Sequence, residues 1–502
     1  MGRKGILPEE GYTGQYERER RSLMHRRRFV KAGILGVGLF CFPVRSIAAG
    51  IRKANKNYHV HQFTDEGLAQ FSYAVYDDTS ILLIDPARDI QPYLDFAKAG
   101  NLRIIAVIET HPHADFVSGH AELQRRLHIP VYVGNRYQAK FAHKPLREGD
   151  RIVLNSQVYL RVLDTPGHSP ESISLILVDQ TRDTSLFSGD TLLFGNVGRP
   201  DLRNTDGDPH SAREQLARDM YHTVQNKLIP LDDQLDLYPA HGAGSLCASG
   251  ISDATSGTIG HERLHNPAFK IRNEEEFVSW ILADLGFVPA YFTFDVHLNL
   301  QGAANLEEGL SAIKILPANV ALPEDTLILD TRPQQYTASS YVKNAVLIPG
   351  EGKFETWLGT VILPGEKFYL LAESEDRLQQ RLRQIAKIGY EGQVSGALLY
   401  DRHQEGPPQI VVNDVTTHPE NYYIIDVRNE NEVRKNRIFK HAINIPLPDL
   451  RRRIAEIKTD KPIVVHCASG YRSAIGTSLL RKARQDAVIY DFGPAIKNTK
   501  PQ

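Results

Sequence analysis

The sequence predicts an α/β protein of three folded domains, and three observations carry the prediction. From about residue 58, apolar runs of strand length alternate with turns and amphipathic stretches. Histidines and aspartates cluster directly after several of those runs. Beyond about residue 300, three sequence blocks recur at a nearly constant offset, as expected for two copies of one fold. A length of 502 residues, at roughly 150 residues per domain, gives the same count.

Composition sets the class. Hydrophobic residues are 41% and charged residues 24%, values that support a packed core and exclude wholesale disorder. The net charge is −1, but residues 1–49 carry ten Lys/Arg against four Asp/Glu, which leaves −7 for the rest. An acidic body argues against nucleic acid as a partner. Three cysteines, Cys41, Cys247 and Cys467, are too few for a disulfide framework.

Residues 1–49 read as an address. Arg-Arg-Arg-Phe-Val-Lys (26–31) precedes an 11-residue apolar run, AGILGVGLFCF, and then small residues ending at Ala48 and Ala49. A spanning helix needs about 20 apolar residues, so the run predicts a cleaved signal and no stable membrane span after processing. Arg26 and Arg27 resemble the pair of a twin-arginine export signal, which implies a periplasmic enzyme exported folded.

The first domain is expected over 56–300. Strands are expected at 71–77, 80–85, 104–110, 131–134, 172–179 and 184–190, with helices at 116–127 and 211–227. The chemistry sits at strand ends. THPHAD follows the run IIAVI and supplies His111, His113 and Asp115. DTPGH supplies His168, FSGD supplies Asp190, and YPAHG supplies His241. Four imidazoles and two carboxylates in turns after strands can converge at one sheet edge, and such ligands suit zinc or iron.

The order HxHxD, GH, GD, AHG resembles the metallo-β-lactamase superfamily, which implies an αββα sandwich. The usual first motif ends in a histidine that holds a second metal, and Phe116 stands there instead. A one-metal site is therefore expected, and the resemblance narrows to the persulfide dioxygenases fused to rhodanese. It implies one Fe(II) per chain on His111, His168 and Asp190, with zinc as the alternative. His113, Asp115 and His241 would orient these ligands or contribute to metal binding. Two histidines and one carboxylate leave positions open for a thiol persulfide and O2. Arg199, in GNVGRPDL, would bind substrate or brace its loop. Cys247 is expected to be a small packed residue near the site.

The repeat follows. LILDTR (327–332) matches YIIDVR (423–428) with an offset of 96, NAVLIP (344–349) matches HAINIP with 97, and KFYLLAE (367–373) matches KPIVVHC with 94. The domains are expected at 301–405 and 406–502. In the second copy, Cys467 opens a tight loop between an apolar strand and a helix. Its backbone N–H groups would form a nest for an anion and favour a reactive thiolate. C-x-x-G-x-R-S resembles the rhodanese loop, which implies Cys467 and Arg472 as catalytic residues and Gly470 and Ser473 as substrate-binding ones. Asp426 and Arg428 match a structural motif of that family. The first copy has Glu373 in the nucleophile's place, so it is expected to be a degenerate spacer or docking module.

The expected function is oxidation of a low-molecular-weight thiol persulfide by O2 to sulfite and thiol, coupled to sulfur transfer through a Cys467 persulfide. Thiosulfate or sulfite would be the other small-molecule partner, and a homo-oligomer is left open. The competing readings are a zinc thioester hydrolase of the glyoxalase II kind, a true β-lactamase, and a sulfur carrier that does not oxidise.

Overall fold

The computed structural model describes residues 57–202, 209–283, 285–317, 320–323, 325–337, 340, 342–400, 406 and 409–500. The segment expected to be a signal, with Arg26, Arg27 and Cys41, lies outside the described residues. Lys56–Gln502 forms one compact unit. No helix among the described residues is long and apolar enough to cross a membrane.

The first half is a sandwich of two six-stranded sheets. Sheet one runs β1 (His59–Asp65), β2 (Gln70–Tyr76), β3 (Ser80–Ile84), β4 (Arg103–Glu109), β5 (Val131–Gly134), β6 (Lys144–Leu146) in that order. β1–β3 pair antiparallel, and β3–β6 pair parallel. Next in sequence come β7 (Arg151–Val153), β8 (Val158–Asp164), β9 (Ile173–Asp179) and β10 (Arg182–Gly189). A small ribbon follows, β11 (Leu192–Leu193) with β12 (Asn196–Val197), and then β13 (Asp236–Pro239) and β14 (Gly257–Thr258). Sheet two has the order β14-β13-β10-β9-β8-β7.

The inner faces meet in one apolar layer, where Tyr73, Ile84 and Ile108 pack with Leu160, Leu175 and Phe187. The helices Gln91–Ala99 and His120–Leu127 cover sheet one. Pro209–Thr223 and Glu274–Leu282 cover sheet two. Alternating strands with one face inward and the other under helices give the αββα layering expected of the sequence.

Two helix limits differ from expectation. The helix expected at 116–127 begins at His120, because the Val117 N–H donates to Lys387 and the Ser118 N–H to Asn299 Oδ1 (2.8 Å each), away from any helical ladder. The stretch 211–227 is a helix only to Thr223 and then widens into a π turn, Val224–Leu228.

The second half holds the repeat as two parallel four-stranded sheets. β15 (Ile328–Asp330), β16 (Ala345–Leu347), β17 (Phe368–Ala372) and β18 (Val394–Leu399) take the order β16-β15-β17-β18. β19 (Tyr423–Asp426), β20 (Ile443–Asn444), β21 (Ile463–His466) and β22 (Ile489–Asp491) take the order β20-β19-β21-β22. The match extends to side chains. Arg332 forks onto Asp330 and donates to the Ser340 carbonyl, while Arg428 forks onto Asp426 and donates to the Asn436 carbonyl, eight residues on in both copies. Each buried arginine is thus neutralised beside the first strand of its sheet, a structural role for the motif.

Candidate metal centre and sulfur-transfer loop

Backbone topology brings the first domain's motifs together. β8 and β10 run parallel to each other, both antiparallel to β9, and β13 runs parallel to β10. The Ile173 N–H at the start of β9 donates to the Thr110 carbonyl just past β4 (2.9 Å). The ends of β4, β8, β10 and β13 therefore share one edge, and His111, His168, Asp190 and His241 follow them. Gly189 makes the approach possible. Its φ is +53°, and a Cβ there would lie 2.5 Å from Thr110 Oγ1.

All these groups are buried. Asp190 Oδ2 lies 3.6 Å from His111 Nε2 and 3.5 Å from His168 Nε2. Both rings have a tautomer set by the opposite nitrogen. His168 Nδ1 is 2.9 Å from the Arg199 carbonyl, which can only accept, so Nδ1 carries the proton. Thr110 Oγ1 donates its proton to Asp85 Oδ2 (2.8 Å), so at 3.0 Å it accepts from His111 Nδ1. Each Nε2 therefore presents a lone pair toward Asp190 Oδ2, which has no hydrogen-bond partner. Each of these lone pairs repels the Asp190 charge unless a cation lies between them. Bonds of about 2.1 Å would separate tetrahedral ligand atoms by roughly 3.4 Å, close to both spacings from Asp190 Oδ2; His111, His113 and Asp190 bring ligand atoms within 4.8 Å of one another, and so do His168, Asp190 and Cys247. The first domain holds a metal-binding site of this superfamily.

The remaining motif residues surround that trio. His241 donates from Nδ1 to Asp190 Oδ1 (2.7 Å), and its Nε2 meets Asp115 Oδ2 at 2.9 Å. Burial pushes the His241 imidazole down, but Asp115 and Asp190 hold it well above the usual histidine range. Burial likewise opposes the Asp190 charge, but the surrounding imidazoles, His241 foremost, hold that carboxyl well below its ordinary value. His113 turns to Asp85 (3.2 Å) and Glu109 (3.9 Å). Phe116 lies tilted 4.3 Å from the His113 ring and edge-on 6.2 Å from the His241 ring, filling with an apolar ring the place where a second-metal ligand is usual. Cys247 lies beside Asp115 and His241, fully buried, its thiol pKa pushed up by burial. Arg199 braces its loop. Its guanidinium forks onto Asp201 (2.6 and 2.7 Å) and donates to Gly286 (2.7 Å) and Phe287 (3.3 Å), while its carbonyl orients His168. Sequence reading missed Asp85 and Thr110, although each ends or follows an apolar strand as the ligands do.

In the last domain, Cys467 follows β21 and is 1% exposed. The Gly470 N–H donates to its sulfur (3.1 Å), and Gly470, at φ +104°, opens the helix Tyr471–Ala483. Such a turn aims backbone donors at the sulfur. Arg472 forks onto Glu432 (2.6 and 2.7 Å), which fixes its guanidinium. The Ser473 hydroxyl donates to the Gly470 carbonyl (3.0 Å) and closes the loop from below. Glu432 was not legible in advance, because only the tertiary fold brings it to Arg472.

Comparison with known proteins finds matches in two stretches of the chain. The metallo-β-lactamase superfamily model matches residues 65–230, and the rhodanese-like domain model matches 411–493. The chain is 28% identical over 235 residues to the human mitochondrial persulfide dioxygenase ETHE1, spanning 46% of this chain and 83% of that protein. It is 30% identical over 199 residues to the mouse protein of the same name, spanning 39% and 68%. A hydroxyacylglutathione hydrolase of Methylobacillus flagellatus is 34% identical over 138 residues, spanning 27% of this chain and only 52% of that enzyme. Among solved structures, a metallo-β-lactamase from Staphylococcus aureus superposes with a TM-score of 0.63 at 27% identity, covering 69% of this chain and all of that one.

Proposed function

The chain belongs to the metallo-β-lactamase superfamily as a persulfide dioxygenase–rhodanese fusion, and from that premise we propose that it oxidises a small-molecule thiol persulfide with O2 and exchanges sulfane sulfur through Cys467. The observation that carries the reading is the trio His111, His168 and Asp190, with Phe116 where a second metal would need a ligand. The balanced reaction is R–S–SH + O2 + H2O giving R–SH, sulfite and two protons.

His111, His168 and Asp190 would hold one Fe(II), which supplies when bound the one-electron chemistry that O2 requires and zinc lacks. The chain's own groups do the rest. The Thr110 hydroxyl and the Arg199 carbonyl keep both imidazoles in the metal-binding tautomer. His241 holds a proton between Asp115 and Asp190 at the edge of the trio. The buried surroundings keep bulk water from the reacting sulfur.

In the second step the Cys467 thiolate attacks the outer sulfur of R–S–SH, forming Cys–S–SH and releasing the thiol. Sulfite then takes that sulfur as thiosulfate and restores the thiolate. The reverse course draws sulfur from thiosulfate. The arginine pair of residues 26–27 supports export to the periplasm, where both steps would occur.

Oxygen uptake by the Fe(II)-loaded protein with a persulfide tests the reading. Uptake matched by the sum of sulfite and thiosulfate is expected, lost in His168→Ala and retained, with sulfite alone, in Cys467→Ser. Absence of uptake with iron, accompanied by thioester cleavage with zinc, would replace it with the hydrolase reading.

A further inference from the structure

The middle module has Glu373 where a nucleophile should be, yet its strand ends hold the reactive loop of the last domain. Just past β15 it keeps the buried fork of Arg332 on Asp330, and the Arg332 backbone N–H also donates to Asp330 Oδ1 (3.1 Å). Two residues on, Gln334 reaches across the domain boundary. Its Nε2 donates to the Gly470 carbonyl (3.3 Å) and to Asp491 Oδ2 (2.8 Å). An amide nitrogen carries two protons, so one group serves both oxygens. Past β16, the Pro349 carbonyl accepts from the Tyr471 hydroxyl (2.8 Å).

These contacts bear on the turn that faces the Cys467 sulfur. The Gly470 N–H donates to that sulfur (3.1 Å), and Gly470 holds φ +104°. The Gly470 carbonyl accepts from the Ala474 N–H (3.1 Å), the Ser473 hydroxyl (3.0 Å) and Gln334, and of these three donors Gln334 alone comes from another domain. Asp491 accepts the Gly493 N–H on its other oxygen (2.9 Å). Gly493 and Pro494 pack against Gly470, 2.9 Å from where a Cβ would stand. Gln334 thus ties the peptide that follows Gly470 to the floor beneath it. The same boundary has contacts away from the loop. The Leu347 N–H donates to Ser478 Oγ (2.9 Å), and Lys482 Nζ donates to the Asn344 carbonyl (3.0 Å).

We propose that Gln334 is a positioning residue of the sulfur-transfer loop, supplied by the middle module, and that it fixes Gly470 so that its N–H stays on the Cys467 sulfur. A donor held on the sulfur favours the thiolate that attacks sulfane sulfur. The inference rests on the sulfur-transfer half of the reading above. The Asp330–Arg332 fork thereby keeps a role in a copy without a nucleophile, because it fixes the strand end from which Gln334 reaches.

The test uses the full chain. Gln334→Met keeps the length and removes the donor, and Gln334→Lys restores a donor between the same two oxygens. Lys482→Met weakens the same domain boundary away from the loop. Alkylation of Cys467 by iodoacetamide, located by peptide mass, is followed against pH, beside sulfur transfer from thiosulfate to cyanide. Gln334→Met is expected to move the midpoint of the alkylation profile up by about half a pH unit, and to lower kcat for sulfur transfer about threefold or more at pH 7, as loss of one hydrogen bond implies. KM for thiosulfate should stay within about twofold. Gln334→Lys should recover most of both losses, and Lys482→Met should shift neither. A Gln334→Met profile that overlays the wild type, or an equal shift in Lys482→Met, overturns the proposal and leaves Gln334 as a strut between domains. Alkylation needs no turnover. A shift confined to Gln334→Met therefore upholds the positioning role even if the wild type transfers no sulfur, which would then count against the sulfur-transfer reading alone.

Discussion

Replacing Thr110 with valine tests whether hydrogen bonds behind the ligands decide metal affinity. Valine keeps the shape and removes only the hydroxyl, which donates to Asp85 Oδ2 (2.8 Å) and accepts from His111 Nδ1 (3.0 Å). Asp85 retains the Thr110 backbone N–H (2.7 Å) and His113 (3.2 Å), so it keeps most of its support. His111 loses the acceptor that fixes its tautomer, and a buried N–H left without one costs about 1–3 kcal/mol. The ring then favours the other tautomer, whose Nε2 carries the proton and cannot bind a metal. Loss of such an orienting partner weakens metal binding about 10- to 100-fold, equivalent to roughly 1.4–2.8 kcal/mol. Competition with a chelator of known affinity measures this, and a thermal melt of the metal-free protein measures the stability change. Metal affinity within twofold of wild type would refute the tautomer argument, whatever happens to the melting temperature.

Three further outcomes follow from the same geometry. Gly198→Ala should abolish stoichiometric metal binding, because the new Cβ would fall on the Asp190 carbonyl and lie 2.8 Å from His168 Nδ1; metal analysis after dialysis reads this. Gly470→Ala forces φ +104° on a residue with a Cβ 2.9 Å from Gly493 and Pro494, so thiosulfate sulfurtransferase activity should fall at least about tenfold while metal content is unchanged. Burial opposes the Glu432 charge, but Arg472 outweighs it and holds the carboxyl below its usual value. A depressed folded pKa gives stability that is present above the unfolded value, about 4.3, and lost as pH falls through the lower folded value. The Arg472–Glu432 lock should thus persist at pH 5, and Glu432→Gln should remove that part of the acid dependence of unfolding, read by circular dichroism.

Much of the site was legible because metal ligands and strand ends leave local marks. His111, Asp115, His168, Asp190 and His241 each stand in a short polar turn after an apolar run, and Phe116 announces by its chemistry that one ligand is missing. The Cys467 loop is contiguous, so its glycine, arginine and serine declare themselves together. The repeat was visible because strand-core residues and the Asp-x-Arg pair recur in register, and the two sheets share one strand order. The start of the helix His120–Leu127 was misplaced because Lys387 and Asn299, far away in sequence, take the backbone N–H groups of residues 117 and 118.

The sequence by itself determined the layers, the repeat, and the residue types able to hold a metal or carry sulfur, because periodicity and motif chemistry act over a few residues. Only the tertiary structure decided which partner each polar group meets. It set Thr110 behind His111, the Arg199 carbonyl behind His168, Glu432 across from Arg472, and Lys353 of the middle module against the Gly244 loop. Those pairings span 1 to 109 positions in the chain. Burial and hydrogen-bond geometry select them, and both exist only once distant strands have packed at one edge.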